Sequence, residues 1–235
     1  MAAYESRLTV MSVRSAGAAT LAGGVLSLVG NLIHPRYPDD EDVVMYRKIA
    51  DSTMFAVADV ILIVAIALVV AGLVGVAQAL GSDAAARNAR LAVVVGGTVA
   101  IAQLGIELFG VRQQANIFAD ASDSDRLGAF WATNALDHVS SALFATFTVF
   151  LLGVAPLLLG WAMLRVKGFY PAWLAGLGMA GGTVCVVVGF MNLLTSDQAD
   201  NEIAFLVGSL LVTIWVLATG AQSLRRTPGP APAAT

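Results

Sequence analysis

Charge is what this sequence has least of. Only 12% of its 235 residues are Asp, Glu, Lys or Arg, about half the share of a soluble globular domain. With 58% hydrophobic residues and a mean hydropathy of +0.80, that deficit excludes a soluble domain and predicts an integral membrane protein. Cysteine is almost missing as well. Cys185 alone permits no intrachain disulfide and no CxxC or CxxCH motif; inside an apolar run it reads as a small buried residue. No lysine lies within an apolar run, which argues against a retinal Schiff base. The net charge of −3 argues against a general affinity for nucleic acid. No short apolar segment ends in a small-residue cleavage site, so no removable signal peptide is expected.

What is present is length in the apolar runs. A bilayer core needs about 20 apolar residues per helix, and six windows meet this: about 16–34, 54–80, 91–112, 135–164, 172–194 and 203–223. The expected fold is all-α, an integral membrane bundle of six transmembrane helices. It forms one domain over 1–224, and the Pro- and Ala-rich stretch 225–235 is expected to be disordered. Pro156 removes a backbone donor within the fourth window and predicts a kink, whereas Pro171 suits a helix start. Gly178 and Gly182 form a small-xxx-small pair suited to close packing within the chain. Trp161, Tyr170 and Trp173 fall at one interface and Trp131 at the other, where amphipathic rings are favoured.

Basic residues orient the bundle. Arg7, Arg14, Arg87, Arg90, Arg165, Lys167, Arg225 and Arg226 share one side. Arg36, Arg47, Lys48, Arg112 and Arg126 share the other with eleven carboxylates, among them Asp39, Asp40, Glu41 and Asp42. Both termini are therefore expected in the cytoplasm and the protein in the cytoplasmic (inner) membrane.

Ionisable groups in the windows are few enough to place singly. Asp59 lies early in the second window. Glu107 lies late in the third, with Gln103 one turn deeper on the same face. Asn134, Asp137, His138 and Ser141 share a stripe at i, i+3, i+4, i+7 on the fourth, and Ser27, Asn31 and His34 share one on the first. Asn192 stands near the end of the fifth. With alternating helix directions, His34, Asp59, Glu107, Asp137, His138 and Asn192 fall into one layer of the outer leaflet. Intramembrane ionisable residues tend to face the bundle interior and to mark functional sites. A polar pocket open to the outer side is the expectation, with Glu107 its first candidate. Three bland readings stand beside it: Asp59 as a helix-packing group, Asp137 and His138 at a solvated helix start, and His34 as the stop before Pro35.

Such a layer favours binding, transport or sensing of a small ligand or of protons. An alternative is a membrane-embedded acid–base enzyme acting on a lipophilic substrate; another is a structural subunit of a membrane complex. No GxSxG nucleophile motif is present. No cofactor is expected. If a metal is bound, His34, His138, Asp137 and Glu107 offer N and O ligands for zinc, manganese or iron, although HExxH is absent. A b-type haem would have to use both histidines. The lipid bilayer is the one expected partner, with a small or lipophilic ligand as a further one; the oligomeric state is left open.

The stretch HVSSALFATFTVFLLGVAPLLLGWAMLRVKGFYPAWLAGLGMAGG resembles the fourth-to-fifth helix region of bacterial proteins with domain of unknown function 4386. The shared features are a polar, His-containing helix start, a long apolar helix, a basic turn with Arg165 and Lys167, and Pro171, Trp173, Leu174, Gly176 and Gly178. The resemblance implies a multi-pass bacterial membrane protein and supplies no reaction, so no residue roles carry over. The acidic PDDED loop is more extensive than that family leads one to expect.

Overall fold

A computed structural model describes residues 12–35, 41–81, 83–166, 168–195 and 201–226. Among them there is no strand. The helices are α1 (Val13–Ile33), α2 (Asp42–Asp51), α3 (Thr53–Ala79), α4 (Ala84–Gly105), α5 (Arg112–Asp120), α6 (Arg126–Phe147), α7 (Ala155–Arg165), α8 (Ala172–Thr195) and α9 (Glu202–Leu224). π-Helical turns, Ile106–Val111 and Thr148–Val154, join α4 to α5 and α6 to α7. Among the described residues six helical runs are long and apolar enough to cross a membrane. The protein is a multi-pass membrane bundle.

Local chemistry explains most boundaries. The hydroxyls of Ser12 and Ser52 accept from the amides of Ser15 and Phe55, capping α1 and α3. The carboxylate of Asp83 caps α4 through the amide of Ala85. Gly81 and Gly168 turn the chain at φ of 90° and 77°, a region open to glycine because it has no Cβ. α1 stops at His34, whose successor Pro35 disfavours helical geometry. Pro156 is accommodated rather than obstructive: it lies in the first turn of α7, directly after the π-turn 148–154.

Two spans run past their apolar windows. The third covers Ala84–Asp120 rather than 91–112, and the fourth Arg126–Arg165 rather than 135–164. The additions at 113–120 and 126–134 are polar and pack on one another and on α2, so hydropathy does not reveal them. Tyr46, Ile49, Phe55, Ala115 and Phe118 form a small core there, edged by Phe130. Asp137 is therefore about three turns inside its helix and not at its mouth. The PDDED loop lies outside the described residues except for Glu41 and Asp42, as do Arg7, Arg36 and Lys167 and residues 227–235 of the tail.

The spans form a closed ring. Each packs on its neighbours in sequence, and α1 closes the circle against α9, while α3 and α9 barely meet across the middle. At the end bearing the described termini the ring is filled. Trp215, Leu159, Met163 and Leu174 are fully buried there. Ser223 donates to Thr219 O, so Tyr170 donates to Ser223 Oγ at 2.6 Å. Burial raises the Tyr170 pKa above its ordinary value. Gly178 fits against the Trp215 indole, and Gly182 against Gly153 and Leu157, so both glycines serve contacts within the chain.

Candidate functional site

Towards the α2 end the ring stays open inside. A cavity of about 530 Å³ is bounded by α1, α3, α4, α9 and the middle of the fourth span. Leucine, isoleucine, valine and phenylalanine make most of its wall. Its polar residues include Ser27, Asn31 and His34 of α1 and Gln103 of α4. α1 and α9 touch through Gly17 and Gly220 on the terminal side and through Gly24 at mid-span. Further along, the cavity-lining Leu28, Leu32, Leu206 and Leu210 are exposed. Among the described residues, then, exposed leucines of α1 and α9 form part of the cavity's border.

Beside it three ionisable groups from three spans converge, of which His34 lines the cavity. One ligand atom each of His34, Asp59 and Glu107 lies within 4.8 Å of the others. His34 Nε2 is 3.2 Å from Asp59 Oδ1, and its Nδ1 is 3.0 Å from Pro35 O. A carbonyl only accepts, so Nδ1 carries the hydrogen. The ring is half-buried and faces the fully buried Asp59 carboxylate. Asp59 is wholly buried and its Oδ2 has no hydrogen-bond partner among the described residues.

Glu107 sits on the π-turn. There the ladder lengthens by one residue, so the amide of Arg112 donates to Glu107 O and the two side chains are brought towards one face. Ser140 Oγ, buried on α6, donates to Glu107 Oε1 at 3.1 Å and accepts from Gln103 Nε2 at 3.1 Å. The charge of Arg112 acts on Asp59, and its Nε is buried without a partner among the described residues.

The other residues singled out from the sequence are placed elsewhere. Asn31 is exposed and donates to Ser27 O, although it lines the cavity. Asn192 accepts from Asn201 Nδ2 at 3.1 Å. His138 is exposed. Neither it nor Asp137 belongs to the cluster of three. Asp137 belongs to the α2 side, where its charge acts on Tyr46 and Asn134 donates to Tyr46 Oη at 3.4 Å. Burial first, then the charge of Asp137, pushes the Tyr46 pKa up to about 12. Of the expected set, the structure thus brings together His34, Asp59, Glu107 and Gln103. Sequence reasoning missed Ser140 and the inward role of Arg112. Ser140 adjoins Ser141 in the polar stripe, and Arg112 follows Glu107 by one π-turn.

No curated protein and no solved structure matches the chain. The model of one family, described as a domain of unknown function (DUF4386), matches residues 14–220. With nearly the whole bundle covered, the chain belongs to the DUF4386 family.

Proposed function

We propose that this membrane protein binds a single-chain amphiphile taken sideways from the surrounding lipid. The observation that carries this reading is the cavity's division. Its walls are mostly apolar; His34 and Gln103 mark one end, and Ser27, Ser209 and Thr213 are scattered among the apolar residues further in. Apolar sites with a few convergent polar groups hold and orient small ligands in this way. An alkyl chain lies along Leu62, Ile66, Phe144 and Leu210, and the head group meets His34 and Gln103. The excess of arginine and lysine on the terminal side supports cytoplasmic termini, and hence a site in the outer leaflet of the inner membrane. Binding of this kind serves transport or sensing.

The test uses the chelator-treated chain in nanodiscs with a long-chain alcohol or fatty acid as probe. Saturable binding that Leu210→Trp weakens by tenfold or more supports the reading. No saturable binding to the folded wild type, or binding indifferent to Leu210→Trp, overturns it.

A second reading, an acid–base enzyme on the same ligand, has its own support. A His–carboxylate pair and a second carboxylate, held by Ser140, stand together beside the cavity. Glu107→Gln would then abolish turnover and leave amphiphile binding in place.

A further inference from the structure

We propose that His34, Asp59 and Glu107 form a site for a divalent transition metal, zinc or manganese, with its open coordination position facing the cavity. The inference starts from a mismatch between His34 and Asp59. Because Nδ1 donates to Pro35 O, the Nε2 of a neutral imidazole has only a lone pair, and it faces carboxylate Oδ1 at 3.2 Å. Two acceptors stable at that distance need a cation between them, either a proton or a metal ion. Donation from the second ring nitrogen to a backbone carbonyl is how metal-bound histidines are held in the right tautomer.

Three further observations favour the metal. Asp59 Oδ2 is fully buried with no partner among the described residues, so the carboxylate has capacity that the His34 pair does not use. Glu107 supplies a second carboxylate from another span, and the ligand atoms of all three residues lie within 4.8 Å of one another. Ligands about 2.0–2.2 Å from zinc stand no more than about 4 Å apart. A side-chain adjustment of roughly 1 Å therefore closes the set. The donor chemistry also fits, since one imidazole and two carboxylates suit zinc or manganese better than soft metals.

Three protein ligands leave a position for water or a ligand atom, the pattern of open rather than purely structural zinc sites. His34 lines the cavity, so that position borders it. Two carboxylates and the Arg112 guanidinium leave one negative charge, which a divalent ion turns into one positive. The class of group that completes the site is therefore an anion: a carboxylate or phosphate head group, or hydroxide derived from water.

The inference stands apart from amphiphile binding, which is tested on chelator-treated protein. Its own experiment uses the untagged full chain, stripped with chelator, and zinc or manganese alone as probe. One ion per chain by elemental analysis after desalting is expected, with affinity lowered at least tenfold in both Asp59→Asn and Glu107→Gln and kept in His138→Ala. Because those variants could misfold, the wild type supplies a second readout. The chain has two histidines, so nitrogen NMR of ring-labelled protein resolves both once His138→Ala assigns them, and zinc is expected to shift His34 Nε2 alone. No bound ion in the stripped, folded wild type, or a shift confined to His138, overturns the proposal. So does stoichiometric binding that survives in folded Asp59→Asn and Glu107→Gln.

Discussion

His34 Nε2 and Asp59 Oδ1 are 3.2 Å apart, joining the last turn of the first span to the second turn of the next. Asp59 is completely shielded from solvent, while the His34 side chain keeps 24% of its exposure. Removing one partner of a buried pair leaves an uncompensated charge at a cost of about 3–5 kcal/mol. His34→Ala is expected to lower stability by an amount towards the lower end of that range, because His34 is partly open. Asp59→Asn introduced into the same chain should recover part of the loss. Thermal unfolding in detergent checks both, and equal melting temperatures for single and double variants would contradict the pairing.

Tyr46 gives a pH dependence of known sign. Its folded-state pKa of about 12 exceeds the ordinary value of about 10, so the folded protein holds this proton more tightly. The associated stability is complete below about pH 10 and is lost between there and about pH 12. Tyr46→Phe should flatten this alkaline decline. Tyrosinate absorbance of the folded wild type should show a late-titrating group that the variant lacks.

Ser140 and Ser141 are adjacent in sequence and opposed in consequence. Ser140 is buried between Gln103 and Glu107, whereas Ser141 is half-buried. Ser140→Ala strands the Gln103 amide and should cost about 1–3 kcal/mol. Ser141→Ala should stay within about 0.5 kcal/mol of wild type. Chemical or thermal denaturation of the pair distinguishes them, and reversed magnitudes would place the polar face wrongly.

Helix contact makes two glycines behave differently. A Cβ at Gly220 would stand 2.7 Å from Leu21 N and 2.9 Å from Gly17 O, both backbone atoms that cannot swing aside. Gly220→Ala is expected to destabilise by about 1–3 kcal/mol through overpacking. At Gly176 a Cβ meets nothing within 4 Å, so Gly176→Ala should gain about 0.5–1 kcal/mol from helix propensity. Melting temperatures in one detergent compare the two directly.

Hydropathy by itself determined the membrane class and the six spans, because a bilayer core demands about 20 apolar residues per helix whatever the neighbours are. It also put Asp59, Glu107 and His34 at related depths, since antiparallel helices of similar length share levels. What it could not determine was rotation about each helix axis. The polar stripe of the fourth span ran through Asp137, His138 and Ser141, yet the residue that reaches Glu107 is Ser140, and His138 is exposed. Which side of a helix is interior depends on where its neighbours stand, and a single helix's polarity pattern does not contain that. The polar ends Arg112–Asp120 and Arg126–Asn134 escaped notice for a related reason: they are helical because they pack with α2 around Tyr46 and Phe118, not because lipid surrounds them. The π-turn at 106–111 adds one residue to the local repeat, so 3.6-residue counting beyond Gly105 misplaces Arg112. Only the closed ring decided that His34, Asp59 and Glu107, 25 and 48 residues apart in the chain, meet beside one cavity that His34 lines.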